Sequence, residues 1–202
     1  MAIIVEHDKR KQEILQKSLD VFIEEGYEDA TFQKIADRCG ITRTTLYIYF
    51  KNKHEIFLGS IKELLSELEN SLKEVIKDKS KNAEETLRQI LSTIIIRCEE
   101  NAKLFSVLLN YLMQLKKSGA DTNSRVRRRV IRMHHILVTI IIQGIRSGEF
   151  EDKNVKVMEE TLYALIESAI FRIAVLNQTD LSSIIASINQ TVDSFKITPV
   201  IA

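Results

Sequence analysis

Proline, glycine and cysteine are all scarce in this chain. Its 202 residues include one proline, six glycines and two cysteines. Because the single proline is Pro199, almost nothing before it interrupts a helix. Cys39 and Cys98 are too few for a disulfide scaffold and lack the paired spacing of a zinc site. The sequence therefore favours long helices, and its cysteine usage is typical of a reducing, cytoplasmic compartment.

Net charge and long apolar runs are lacking as well. The 29 basic and 28 acidic residues leave a formal charge of +1, which excludes a globally basic nucleic-acid coat protein. The most apolar run, Ile136–Ile142, is far shorter than the roughly 20 residues that a membrane span needs. Ala2–Val5 is too short for the core of a signal peptide. We expect a cytoplasmic protein without a membrane partner, in which any nucleic-acid contact lies in a local patch.

Apolar residues recur every three to four positions along most of the chain, which is the period of an amphipathic helix. The pattern predicts an all-α fold of about nine helices. They are expected near residues 12–25, 31–39, 42–50, 52–77, 83–100, 104–117, 125–146, 154–177 and 180–195. The helix near 125–146 is apolar on every side in its middle, so we expect the other helices to surround it.

The segment between residues 31 and 50 predicts a helix-turn-helix. Thr31 and Thr42 are of the type that caps helix N termini, and Gly40 lies in a turn tight enough to need a positive φ angle. Between Thr31 and Lys53 there are five basic residues and one acidic residue. Positive charge is therefore concentrated where DNA would lie.

A helix that begins at Arg43 places residues 43, 44 and 47 on one face, while Leu46 and Phe50 point into the core. The exposed face carries chemistry that suits DNA. Arginine binds guanine through two hydrogen bonds, threonine contacts a base methyl group or a phosphate, and tyrosine hydroxyls reach phosphate oxygens.

An ordered set of short motifs lies within residues 10–57. It consists of Phe22–Tyr27 (FIEEGY), Thr31–Ala36 (TFQKIA), Gly40–Phe50 (GITRTTLYIYF) and Lys51–Lys53 (KNK). Together the motifs resemble the N-terminal domain of TetR/AcrR-type transcriptional regulators. The resemblance implies a three-helix DNA-binding domain over residues 1–53 and a helical effector-binding and dimerisation domain over residues 54–202. It also implies a ligand-responsive regulator, more often a repressor, that binds a palindromic operator in double-stranded DNA as a homodimer.

The same resemblance assigns individual DNA contacts. Arg43 and Thr44 match base-reading positions, and Gln33 matches a position on the preceding helix that often reads bases too. The candidate DNA-binding residues are Gln33, Lys34, Arg43, Thr44, Thr45, Tyr47, Tyr49 and Lys53. For the two tyrosines the alternative is that they are core aromatic residues.

An effector site is expected in the C-terminal helices, because dimerisation alone does not need so many residues. The candidate lining residues combine apolar stripes with isolated polar positions. They are Leu64, Leu68, Ile94, Cys98, Phe105, Leu108, Tyr111, His134, Leu137, Ile141, Glu167 and Phe171. Each of them is open to the alternative that it is an ordinary core residue. The expected effector is a small, largely apolar aromatic or acyl molecule, coupled to DNA binding through the long helix near 52–77.

The last two predicted helices carry apolar stripes that are broad enough for both a core and a partner, so we expect an isologous four-helix dimer interface. The arginine cluster from Arg125 to Arg132 has two interpretations, a second nucleic-acid or anion site or a solvated or intramolecularly paired start of a helix. No cofactor, metal site or catalytic arrangement is expected, and we do not expect the protein to be an enzyme. Two alternative functions remain open: a helix-turn-helix-derived protein-binding module without DNA binding, and a small helical ligand carrier.

Overall fold

The computed structural model describes residues 2–117, 123–178 and 180–197, and only the backbone of residues 2–5 and 123–130. Within these ranges the chain forms nine α-helices and no strand, which confirms the predicted all-α class. The helices are α1 (Ala2–Asp29), α2 (Phe32–Cys39), α3 (Arg43–Tyr49), α4 (Lys53–Lys77), α5 (Ala83–Glu100), α6 (Ala102–Lys117), α7 (Asn123–Arg146), α8 (Val155–Ala174) and α9 (Ser182–Asp193). None of the helices in the described part of the chain is both long and apolar enough to cross a membrane.

The helix-turn-helix is formed by α2 and α3, and local sequence signals set both ends of the turn. The Oγ1 atom of Thr31 accepts a hydrogen bond from the amide of Lys34, at 3.2 Å. The Oγ1 atom of Thr42 accepts one from the amide of Thr45, at 3.0 Å. Gly40 follows α2 with a φ angle of 66°, in the left-handed region that glycine adopts most easily. The predicted caps and the predicted glycine turn are therefore confirmed.

Helix α1 differs from its prediction at both ends. It begins at Ala2 rather than near residue 12, and it continues to Asp29. Gly26, the predicted end, has a φ angle of 80° and a ψ angle of 169°, so it interrupts the helical backbone without ending the element. The chain thus turns at the expected glycine and resumes a short helical stretch that leads to α2.

Two apolar clusters make up the interior. The N-terminal core is built on α1 to α3, with buried residues such as Phe22, Ile35 and Leu46. It extends past residue 53, because Phe57 of α4 and Tyr111 of α6 are buried in it too. The C-terminal core is formed mainly by α5, α7, α8 and α9. Helices α4 and α6 therefore connect the helix-turn-helix unit with the rest of the molecule.

Helix α5, not α7, is the central helix of the C-terminal core. It contacts α4, α6, α7, α8 and α9, and its buried residues cover most of its length. Helix α7 buries Leu137 and Ile141 but leaves His135, Thr139 and Gln143 exposed. The prediction that other helices surround α7 is therefore wrong. The prediction considered how many residues of α7 are apolar. It did not consider that His135, Thr139 and Gln143 form a solvent-facing stripe along one side of the helix.

Gly144 allows α7 to lie against the ring of Phe150. A Cβ atom added at residue 144 would lie 2.2 Å from Cδ2 of Phe150, whose side chain is 1% exposed. We expect Gly144→Ala to lower the free energy of unfolding by about 1–3 kcal/mol, because the buried ring has no space to move into. Urea unfolding followed by circular dichroism measures this change.

The neighbouring exposed residue provides the control for Gly144→Ala. Gln143→Ala introduces the same side chain on the solvent side of α7 and should change stability by no more than about 0.5 kcal/mol. Alanine is normally favoured over glycine inside a helix by about 1 kcal/mol. A Gly144→Ala protein as stable as the parent would contradict the close packing of α7 on Phe150.

Candidate nucleic-acid interface

Helix α3 has one buried face and one exposed face. Leu46 is fully buried, whereas Arg43, Thr44, Tyr47 and Ile48 are exposed. Residues 43, 44 and 47 share the exposed face, as their spacing predicts. The exposed face combines a guanidinium group, two hydroxyl groups and an aliphatic side chain on a helix that the core holds in place.

Stacked rings hold Arg43 in position at the start of α3. Its guanidinium carbon lies 5.7 Å from the centre of the Tyr47 ring, and its Nη2 donates a hydrogen bond to the Tyr47 hydroxyl at 3.3 Å. The Tyr47 ring in turn stacks on Phe32 of α2, with 4.6 Å between ring centres. Tyr47 remains 50% exposed, so it is not a core aromatic residue. The stack already restricts the side chain of Arg43. Arg43 therefore loses less conformational entropy when it binds a ligand.

Thr45 and Tyr49 lie at the edge of the exposed face, and both are half-buried. The hydroxyl groups of Thr45 and Thr42 are 2.8 Å apart, so Thr45 takes part in the cap of its own helix. The Tyr49 ring stacks on His7 of α1, with 4.7 Å between ring centres. Tyr49 therefore both packs against α1 and keeps part of its surface open.

Lys53, the first residue of α4, is fixed by two contacts with the end of α1. Its Nζ donates a hydrogen bond to the carbonyl oxygen of Glu28 at 2.8 Å. The same atom lies 4.7 Å above the centre of the Tyr27 ring. An ammonium group has three N–H donors. One hydrogen bond to a carbonyl oxygen therefore leaves N–H groups that can donate to a phosphate oxygen.

The two candidate residues on α2 already have partners. The Gln33 amide donates to Asp37 at 2.7 Å, and the Lys34 ammonium group pairs with Glu25 of α1 at 2.7 Å. Near them Arg38 pairs with Glu24, and this hydrogen bond lowers the pKa of the Glu24 carboxyl. All of these groups are exposed, and exposed pairs exchange partners at little cost.

The candidate DNA-binding residues left out two residues of this surface. Ile48 is 70% exposed on the same face as Thr44, from which it is separated by one helical turn. Lys51 is exposed just beyond α3, and neither it nor Arg43 forms an ion pair with any described residue. The spacing of four residues from Thr44 was the available signal for Ile48, but an apolar side chain is normally assigned to the core.

The twelve candidate effector residues do not line one common cavity. Four are buried in the C-terminal core: Ile94, Cys98, Leu137 and Ile141. Leu108 and Tyr111 pack in the N-terminal core instead. Glu167 and Phe171 are exposed on the side of α8 that faces away from the core, so they do not line the interior. Helical spacing placed them on a stripe without showing which side of α8 is covered.

Leu64, Leu68 and Phe105 do come together, in a cleft lined by α4, by α6 and by Arg97 and Asn101 at the end of α5. Its volume is about 20 Å³, which is close to the space that one water molecule needs. These candidates therefore share a site that is closed in this conformation. A larger ligand requires the helices that line it to separate.

His134 faces α8 rather than this cleft. Its Nδ1 lies 2.6 Å from a carboxylate oxygen of Glu159, a side chain that is 5% exposed. The His134 ring also lies against Tyr163, with 4.1 Å between ring centres. Burial raises the pKa of the Tyr163 hydroxyl, and the nearby Glu167 and Glu159 carboxylates add to this effect. His134, a polar member of the candidate effector residues, therefore has a partner within the fold.

The arginine cluster of α7 lies mostly outside the described residues, because the side chains at 125–129 are not among them. Arg132 is described and exposed, and its guanidinium group pairs with Glu69 of α4 at 3.3 Å. This one pair fits the interpretation of an intramolecularly paired helix start.

Known proteins resemble this chain in both sequence and structure. Residues 14–59 match the family described as bacterial regulatory proteins, tetR family. The fatty acid metabolism regulator protein of Bacillus subtilis is 26% identical over 161 residues, which cover 78% of this chain and 80% of that protein. A TetR transcription regulator from Haloarcula marismortui superposes with a TM-score of 0.82 at 23% identity, covering 94% of this chain and all of that one. The transcriptional regulator FadR from Bacillus subtilis in complex with stearoyl-CoA gives 0.71 at 25% identity, covering 91% and 98% of the two chains.

Proposed function

We propose that this chain, which belongs to the TetR family of transcriptional regulators, is a ligand-responsive repressor that binds a palindromic operator as a homodimer. A long-chain acyl compound would release it from the operator. In this proposal residues 1–53 carry DNA binding, and residues 54–202 carry effector binding and dimerisation. The observation that carries the proposal is the exposed face of α3, where Arg43, Thr44 and Tyr47 present hydrogen-bonding groups outward while Leu46 anchors the helix.

A short helix fixed in this way fits the major groove, which admits an α-helix and presents a distinct pattern for each base pair. In a symmetric dimer the two copies of α3 read two half-sites about one helical turn, roughly 34–36 Å, or a multiple of it apart. Arg43 is expected to read a base edge, and Lys53 is expected to contact phosphate. Gln33, Lys34, Thr45 and Tyr49 are expected to lie at the margin of the interface.

Substitution of Arg43 and Lys53 should separate base reading from phosphate binding. Arg43→Ala is expected to change which sequences are enriched from random DNA and to cost about 1–3 kcal/mol on the parent operator. Lys53→Ala is expected to weaken all sequences alike and to reduce the slope of log K against log salt by about 1 for each phosphate that the protein no longer neutralises. Fluorescence anisotropy at several salt concentrations measures both effects.

Lys62→Ala is the matched control for Lys53→Ala, because Lys62 is exposed on the same helix away from α3. It should leave both the affinity and the salt slope unchanged. Unaltered operator binding by Arg43→Ala and Lys53→Ala together would contradict the assigned interface. If the parent protein enriched no DNA at all, the protein-binding module would become the better explanation.

The surface of α8 and α9 that faces away from the core supports the dimer. Most of the stripe predicted to serve both core and partner is used by the core, since Leu162, Ile173 and Ile188 are buried. Two members of that stripe, Leu176 and Ile185, are exposed, as are Val157, Phe171 and Val175. Several large apolar side chains exposed on one surface favour a protein interface there.

A charge on this surface should separate the proposed dimer. Phe171 is 53% exposed on α8, and we expect Phe171→Glu to give a monomer in light scattering at micromolar concentration. Ile96→Glu is the control, because Ile96 is 52% exposed on α5, and it should leave the dimer intact. A parent protein that is monomeric, or a Phe171→Glu variant that stays dimeric, would contradict the proposed interface.

Two observations support an acyl effector: the ligand and names of similar proteins, and the apolar walls of the cleft. The Bacillus subtilis FadR structure contains stearoyl-CoA, and the related fatty acid metabolism regulator is similar over most of this chain. Here Leu64, Leu68 and Phe105 provide apolar walls, and Arg97 lies beside them. Because the cleft is so small, an acyl chain that enters it must displace the helices that line it, α6 among them.

Helix α6 is positioned to pass that movement to the DNA-binding unit. Phe105 lies at the cleft, and Tyr111 lies about two helical turns further along α6 in the N-terminal core. The Tyr111 hydroxyl is 2.6 Å from Nδ1 of His54, in the first turn of α4. These contacts support a route through α6 beside the expected route along α4.

Tyr111→Phe should weaken this coupling while it keeps the aromatic packing. With stearoyl-CoA as the probe, we expect the parent protein to lose operator affinity by about fivefold or more. The Tyr111→Phe variant should bind stearoyl-CoA as the parent does but lose less operator affinity. Titration calorimetry for the ligand and anisotropy for the operator give the two readouts.

Tyr163→Phe is the control for Tyr111→Phe, because it removes a tyrosine hydroxyl on α8, outside the N-terminal core. Its response to stearoyl-CoA should match that of the parent. Equal responses of the parent and Tyr111→Phe would contradict the α6 route. Absence of stearoyl-CoA binding by the parent would contradict the proposed acyl effector.

A further inference from the structure

Ile48 is an apolar side chain that the fold does not use. It is 70% exposed, more than any other large apolar side chain in the described part of the chain. Neither apolar cluster contains it, whereas its neighbours Leu46 and Phe50 are both buried in the N-terminal core. Ile48 therefore makes no comparable contribution to the folding of α3.

The surroundings of Ile48 indicate what kind of surface it meets. Thr44 lies one turn before it on the exposed face, and Tyr47 precedes it in sequence. The charged groups at the two ends of this face, Arg43 and Lys51, have no ion-pair partner among the described residues. An apolar group between unpaired cations matches a groove lined by phosphates better than it matches an apolar protein surface.

Duplex DNA offers one apolar group to a helix in the major groove, the 5-methyl group of thymine. An isoleucine side chain has no hydrogen-bond donor or acceptor, so it cannot hold a phosphate or read a polar base edge. We propose that Ile48 is a specificity-determining residue that contacts a thymine 5-methyl group in each half-site. This inference rests on the proposed function, because it requires that α3 enters the major groove.

Deoxyuridine lacks only the 5-methyl group of thymine, so it tests the contact directly. An operator is first selected from random DNA with the full-length protein, and each thymine is then replaced by deoxyuridine in both half-sites. Loss of one buried methyl group should weaken the parent about fourfold per half-site, or about fifteenfold for the pair. The loss should occur at one thymine position of each half-site.

The variant Ile48→Ala completes the comparison. It should bind the thymine operator more weakly than the parent, and it should not distinguish thymine from deoxyuridine at the sensitive position. Because the side chain is exposed, its thermal unfolding should match that of the parent. Ile96→Ala removes an exposed isoleucine from α5, and it should keep the parent's full preference for thymine.

The outcomes separate this inference from the proposed function. A selected operator without any methyl-sensitive thymine, or an Ile48→Ala variant that keeps the parent's sensitivity, would overturn the role of Ile48 and leave DNA binding intact. An Ile48→Ala variant that binds more weakly while no thymine is sensitive would assign the side chain to a sugar contact and would also overturn the inference. Failure to select any DNA would instead count against the proposed function itself.

Discussion

The burial of Leu46 and Phe50 in the N-terminal core is the interaction on which the rest of this structure depends. Helix α3 has seven residues, which is too short for a helix to be stable in isolation. It persists because Leu46 and Phe50 are almost fully buried in the N-terminal core. The opposite side of α3 is therefore free to carry residues chosen for a partner, and Arg43 and Ile48 lie there.

The core that anchors α3 also connects it to the remainder of the chain. Tyr111 of α6 packs against the rings of Tyr27 and Phe57, at 4.6 and 4.8 Å between ring centres. The same Tyr27 ring lies beneath the ammonium group of Lys53. A shift of α6 therefore moves groups that position the recognition unit, and rigid packing transmits such shifts. In the proposed function, this arrangement makes the DNA-binding unit part of the response to the effector.

Local signals were predictable from the sequence, and tertiary pairing was not. Gly40, Thr31 and Thr42 act on residues within four positions of themselves, so their roles followed from the sequence alone. The contact between the rings of Tyr111 and Tyr27 depends on how α6 packs on α1. No spacing along the chain encodes that contact. Ile48 illustrates the opposite failure, because helical periodicity assigns apolar side chains to a core and does not recognise one that is kept for a partner.

Guanine methylation tests the central claim, that two copies of α3 enter the major groove of one operator. Dimethyl sulfate modifies N7 of guanine in the major groove and N3 of adenine in the minor groove, and α3 should shield only the former. On a selected operator we expect protection of guanine N7 in two half-sites related by a two-fold axis, about one helical turn or a multiple of it apart. Protection of adenine N3 alone, or of a single half-site at saturating protein, would contradict this claim.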